Sequence, residues 1–211
     1  MMLPTHALAG MLLALPVALA MPEFAGVALL AGFLGGVVPD ADLYAGHRRT
    51  LHYPVYYSAL VPAGVLALAV WPSVMTVALA VFLLAAAAHS VADVFGGGLE
   101  LRPWEATSNR AVYDHYNRRW VAPRHWIRYD GAPSDLALSV ALAAPLLFVV
   151  GPSHRWLVTA ALVVAVVYAT VRRTLPSVVE RLVGGLPTWL LAYLPARYCS
   201  PDHVAVTGHE R

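Results

Sequence analysis

Apolar residues fill long stretches of this 211-residue chain, and charged residues are confined to the intervals between them. Met1–Pro22 contains no Asp, Glu, Lys or Arg, and after Glu23 the stretch Phe24–Pro39 is again uncharged. Tyr53–Ala88 runs for 36 residues without a charge or a histidine. Its one interruption, Trp71-Pro72-Ser73, predicts two helices joined by a tight turn. Leu136–Gly151 and Trp156–Val171 form another pair around Gly151-Pro152-Ser153. A helix needs about 20 apolar residues to cross the hydrocarbon core of a bilayer. The pattern therefore predicts an all-α, polytopic membrane helix bundle of about six transmembrane helices, near residues 4–22, 24–38, 55–71, 74–92, 136–151 and 155–171. Several of these are short, and the first two could instead form a re-entrant hairpin. Leu182–Leu194, broken by Gly184-Gly185 and Pro187, reads as interfacial rather than spanning. One membrane-embedded domain is expected over residues 1–195, with 94–135 as a cytoplasmic interfacial loop and 196–211 as a polar tail. Ala18-Leu19-Ala20 resembles a signal-peptidase site, but no Lys or Arg precedes the apolar stretch as a secretory leader requires, so this segment reads as a retained span.

Composition narrows the class further. The chain is 59% hydrophobic and 12% charged, about half the usual charged fraction, with a mean hydropathy of +0.64. That argues against a soluble enzyme or a disordered tail, and the formal charge of +2 is too small to imply a nucleic-acid partner. A single cysteine, Cys199, excludes an internal disulfide framework and a Cys-rich zinc site. All 14 basic side chains are Arg, and with six spans 13 of them fall on one side, leaving only Arg155 on the other. The positive-inside rule then places both termini in the cytoplasm.

The ionisable groups gather where the apolar segments end on that side. His6 opens the first segment, Asp40 and Asp42 follow the second, His47, Arg48, Arg49 and His52 precede the third, and His89 and Asp93 close the fourth. Ionisable groups at membrane depth are costly and point to function. His89 and Asp93 stand at i and i+4 on one helix face. A carboxylate in the last turn of a helix faces the negative end of its dipole, so Asp93 needs a cation, either an Arg or a metal. Pro39 marks where the second helix gives way, and Asp40 and Asp42, two residues apart, share a cation only in a turn; Asp42 reads as well as an N-cap. The stretch from His47 to His52 reads either as a solvated positive loop or as two imidazoles beside an Arg pair suited to phosphate. His and Asp without Cys suit Zn²⁺, Mn²⁺ or a related divalent ion. Seven candidates exceed what one tetrahedral ion needs, so two are possible. The loop over 94–135 mixes Trp104, Tyr113, Tyr116, Trp120, Trp126 and Tyr129 with six Arg, which suits the headgroup region or a lid. His115 and His125 there read as surface residues before ligands. Gly32-x-x-x-Gly36 predicts close packing of the second helix against a neighbour.

Taken in order, these motifs resemble the prokaryotic inner-membrane metal-dependent hydrolase family. The matching pieces are Thr5-His6 with Gly10, Gly36-Val-Val-Pro-Asp-Ala-Asp42, His47-Arg48 leading to His52, and His89-Ser-Val-Ala-Asp93 followed by Gly96-Gly-Gly98 and Pro103. They cover roughly residues 5–103. That family is distantly similar to zinc-dependent phospholipase C and P1-type nucleases, and the similarity implies metal-bridging roles for His89 and Asp93, with Asp40 and His52 as further ligands. The chain departs from the pattern at Leu51-His52-Tyr53, where the family usually has Thr-His-Ser. It also lacks the later His-x-x-x-Glu pair of the phospholipases, so one or two ions are implied rather than three.

The expectation is thus a membrane-bound metal-dependent hydrolase acting on a phosphoester of a lipid or other membrane-associated substrate at the cytoplasmic face. His6, Asp40, His47, His52, His89 and Asp93 would hold zinc or manganese. Asp42 would act as general base or as an orienting residue, and Arg48 and Arg49 would hold the phosphate, with Arg48 also stabilising its developing charge. The alternative is a non-enzymatic metal-binding or transport-type multi-pass protein, although a transporter would place its charges nearer the midplane and carry repeat symmetry.

Overall fold

The computed structural model describes residues 1–43, 46–191 and 193; the polar tail expected over 196–211, including Cys199, lies outside the described residues. Six apolar helices dominate: α1 (Leu3–Ala20), α2 (Ala25–Val37), α3 (Pro54–Val70), α4 (Val74–Ala92), α5 (Pro133–Val149) and α6 (Pro152–Val171). Each lies within a few residues of a segment expected from the apolar pattern. Among the described residues, four stretches are long and apolar enough to cross a membrane: Leu3–Ala20, Pro22–Asp42, Val74–Phe95 and Pro152–Val171. The two shorter apolar helices, α3 and α5, have 17 residues each. Two short helices follow, α7 (Leu175–Gly184), which ends inside the segment read as interfacial, and α8 (Thr188–Leu191), which lies within it.

The helix starts follow from local chemistry. Pro54, Pro133 and Pro152 each open a helix, where a missing N–H costs nothing and the fixed φ is already helical. Ser73 caps α4 reciprocally with Thr76: the Ser73 Oγ accepts from the Thr76 N–H at 3.2 Å, and the Ser73 N–H donates to the Thr76 Oγ1 at 3.0 Å.

Small residues set how closely the helices approach. A Cβ on Gly10 would run into the Gly32 carbonyl, one on Gly32 into the Gly10 carbonyl, and one on Gly36 into the carbonyl of His6. The backbones of α1 and α2 therefore touch in antiparallel register, as the small-residue spacing predicts. On its other side α2 meets α4, where a Cβ on Gly35 would lie 2.7 Å from the Ala85 Cβ. Leu8, Met11, Val77, Leu146 and Val158 fill the core between the helices and are almost completely buried. The start of α1 and the ends of α2 and α4 are thereby held at one end of the bundle.

The long loop is more ordered than its composition suggested. It carries a two-stranded antiparallel hairpin, β1 (Val112–Asp114) and β2 (Arg119–Val121), which an all-α expectation omitted. Asp114 builds the turn by accepting from the Tyr116 N–H at 3.0 Å, the Asn117 N–H at 3.1 Å and the Asn117 side-chain amide at 2.6 Å. Backbone bonds from Arg124 to Val94 (2.7 Å), Ile127 to Phe95 (3.0 Å) and Tyr113 to Arg48 (2.9 Å) strap the loop across the end of the bundle.

Candidate metal centre

Asp40, His52, His89 and Asp93 converge at that end, each offering one ligand atom, and these atoms lie within 4.8 Å of one another. Three of the four side chains are buried, and Asp40 is partly exposed. Donor atoms around a tetrahedral zinc stand roughly 3.4 Å apart, given bonds of about 2.0–2.2 Å. Here His52 Nε2 is 3.2 Å from His89 Nε2, 3.2 Å from Asp93 Oδ2 and 3.5 Å from Asp40 Oδ1. His89 Nε2 is 3.5 Å from Asp40 Oδ1 and 3.6 Å from Asp93 Oδ2. Five edges of a tetrahedron are present. Asp93 Oδ2 is buried without a hydrogen bond, and Arg48 Nε stands 3.4 Å from it, so the oxygen has a cation nearby but a lone pair still free for a metal. These residues fit a metal ion.

The imidazoles are held in the orientation that ligation needs. The His89 Nδ1–H donates to the Gly36 carbonyl at 2.7 Å, so its Nε2 lone pair faces the centre. The His52 Nδ1–H donates to Asp42 Oδ2 at 3.0 Å, which aims its Nε2 the same way. Partners of this kind fix the tautomer and orientation of a ligating histidine. Before an ion arrives, burial alone would lower the pKa of His52, but the carboxylates of Asp40, Asp42 and Asp93 prevail and raise it to about 10.

Asp42 is buried, and its two oxygens organise the preceding loop rather than facing the centre. They accept from the backbone N–H groups of Arg48 (3.2 Å), Arg49 (3.2 Å) and Leu51 (3.1 Å), and from His47 Nδ1 (3.1 Å) as well as from His52. His47 thus stands at the rim, with its Nδ1 3.8 Å from Asp40 Oδ1, outside the four-residue cluster. His6 lies behind the cluster: its ring stacks on His89 at 3.8 Å and its Nε2 is 3.1 Å from Asp93 Oδ1. The amino group of Met1 donates to the same oxygen at 3.0 Å.

The two arginines of the loop diverge. Arg48 is buried with its Nε 3.4 Å from Asp93 Oδ2, and one of its guanidinium N–H groups donates to the Gly97 carbonyl at 2.7 Å. Burial opposes its charge, yet Asp93 and Asp40 outweigh that and hold it firmly protonated. Its φ of 59° is left-handed, an uncommon state for a bulky residue that the Asp42 and Tyr113 backbone contacts sustain. Arg49 instead lies exposed, with its guanidinium 4.7 Å above the Tyr113 ring, and does not reach the cluster. His115 donates from Nε2 to the Arg49 carbonyl at 2.6 Å, so it braces the loop. The cation that Asp93 requires at its helix end is present as Arg48, beside a shell that could also hold a metal.

Sequence reasoning missed Asp135. It is fully buried at the start of α5 and accepts from the Met2 N–H (2.8 Å), the Thr5 hydroxyl (2.7 Å) and the Gly131 N–H (3.1 Å). These bonds pin the first turn of α1 and so place His6. An acidic residue in the first turn of a helix reads locally as a dipole partner, and nothing in the spacing ties it to a residue 130 positions away.

No protein-family model matches the chain, and neither the curated proteins nor the solved structures give a match.

Proposed function

We propose that the protein is a membrane-bound metal-dependent hydrolase of phosphoester bonds, acting on a membrane lipid at the cytoplasmic face. The observation that supports this best is the tetrahedral arrangement of Asp40, His52, His89 and Asp93, with Asp40 its one partly exposed member. Two nitrogen and two oxygen donors suit zinc first and manganese second. A bound divalent ion would supply Lewis acidity that polarises a phosphoryl oxygen and acidifies water. The chain's own residues do the rest. Asp42 positions His52, His47 at the rim could exchange a proton with the leaving or attacking group, and Arg48 would add a fixed positive charge where negative charge develops on phosphate. A second ion, at Asp93 Oδ1 and His6 Nε2, would have to displace the Met1 ammonium that now bonds that oxygen.

A second reading draws on the same shell. Four protein donors complete a tetrahedron, as structural sites do, whereas catalytic sites keep a position open. In a hydrolase Asp40, the one partly exposed member, would be the side from which water or substrate reaches the ion. Metal analysis of the purified protein, together with a headgroup-release screen against native lipids, separates the readings. The hydrolase is expected to hold at least one divalent ion per chain, to lose it in His89→Ala, and to release a phosphorylated or dephosphorylated headgroup. Retention of the ion with no release from any lipid favours the non-enzymatic metal-binding protein. Absence of any divalent ion overturns both.

A further inference from the structure

Beside the cluster lies a cavity of about 480 Å³, within the range of small-molecule sites at about 300–1,000 Å³. Its lining is divided. Asp40, His47 and Arg48 adjoin the candidate metal centre, Glu100 and the paired Asp130 and Arg172 add further charge, and Leu3, Leu43, Val164 and Val179 supply apolar walls from α1, the loop after α2, α6 and α7. Val164 stands one helical turn from Tyr168, farther from the charged end of α6 and so deeper in the apolar layer. The walls are not closed. Leu3 is 41% exposed, Leu43 39% and Val164 54%, so the cavity opens sideways onto the apolar flank of the bundle.

A pocket that is polar at the cluster and apolar toward the lipid flank matches an amphiphile. We infer that this cavity is the hydrocarbon-chain subsite of a phosphorylated lipid, which enters laterally from the bilayer. Its phosphoryl group lies at Asp40, His47 and Arg48, and its chain runs between α1, α6 and α7. This rests on the hydrolase reading for the identity of the polar group, but chain recognition is separable from hydrolysis. A soluble phosphoester would leave the apolar walls without an occupant and their opening without a purpose.

Equilibrium binding of radiolabelled octylphosphonate and methylphosphonate to the metal-loaded protein in nanodiscs, corrected with empty nanodiscs, tests the assignment. Each methylene moved from water into an apolar site strengthens binding by up to about fourfold. Octylphosphonate is expected to saturate one site per chain and to bind at least about tenfold more tightly than methylphosphonate. Val164→Trp, which fills the wall away from the cluster, should lower octylphosphonate affinity about tenfold while metal content and methylphosphonate binding stay unchanged. Val179→Trp from α7 should do the same and serves where the first variant does not fold. Equal affinity for the two phosphonates, or unchanged octylphosphonate binding in both variants, overturns the chain subsite. If a soluble phosphodiester is still cleaved in that case, the hydrolase stands without it. A saturable octylphosphonate site in a protein that cleaves no ester upholds the subsite and removes the hydrolase reading.

Discussion

Asp42 shows how much one side chain can do without being a ligand. It gathers three backbone N–H groups and two imidazoles, and one of those imidazoles is His52 of the cluster. Loss of such an outer partner typically weakens metal affinity by about 10–100-fold. Asp42→Ala should therefore lower zinc affinity by that factor in a chelator competition, although it removes no ligand; an unchanged affinity would deny it the positioning role. His52 carries a second expectation. Its pKa of about 10 lies above the unfolded value near 6.5, so in the metal-free protein its charge stabilises the fold fully below that lower value. That contribution is lost as pH rises from there through about 10. Ligation requires the neutral ring, so zinc added at pH 7 should displace a proton from His52, and apparent zinc affinity should rise with pH. A pH indicator in weakly buffered solution measures the release, and His52→Ala should lower it. At this scale the sequence was informative wherever ligands repeat locally: the i, i+4 spacing of His89 and Asp93 and the Asp40-Ala-Asp42 turn both marked the site. It did not separate the roles of neighbours, because whether Asp42, His47 or Arg49 faces inward depends on a loop whose path three backbone bonds to Asp42 dictate.

At the scale of elements, the glycines of α2 hold the centre together from a distance. Gly36 touches the backbone of α1 at His6 and lends its carbonyl to His89, so one residue sets both the separation of two helices and the tautomer of a candidate ligand. Gly36→Leu must push α1 away. Overpacking of this kind costs about 1–3 kcal/mol, and thermal unfolding in nanodiscs should show a lowered midpoint accompanied by reduced zinc content. Gly151→Ala provides the contrast, since a Cβ there meets nothing within 4 Å, and both quantities should stay at their original values. The helices were the most legible part of the chain, because long uncharged runs punctuated by Pro and Ser leave few alternatives. The hairpin at Val112–Val121 was hidden, since its strands are three residues each and depend on pairing with one another and on the Tyr113 bond to Arg48. Asp135 was hidden for a related reason: its partners Met2 and Thr5 are far away in sequence and become neighbours only when α5 packs on α1.

On the scale of the molecule, the charged and polar groups that matter lie at one end of the bundle, and the turn at Gly151-Pro152-Ser153 lies at the other end of α5 and α6. If all six apolar helices cross, as the apolar pattern predicts, Asn117 in the hairpin turn and Ser153 stand on opposite sides of the membrane. In a Cys199→Ser background, Asn117→Cys should react with an impermeant maleimide only after the cytoplasmic face is opened, and Ser153→Cys should react in intact cells. The reverse pattern would invert the protein, and labelling of both from one side would reduce the number of crossings. Burial divides the chain in another respect: the four residues of the tetrahedron all fall between Asp40 and Asp93, whereas the far wall of the cavity comes from Val164 and Val179. During synthesis the complete ligand set therefore emerges before α5 exists. On the proposed function, a growing chain would capture its ion as a four-helix intermediate and gain the wall that selects a lipid chain only afterwards, which separates metal acquisition from substrate selectivity in the order of assembly.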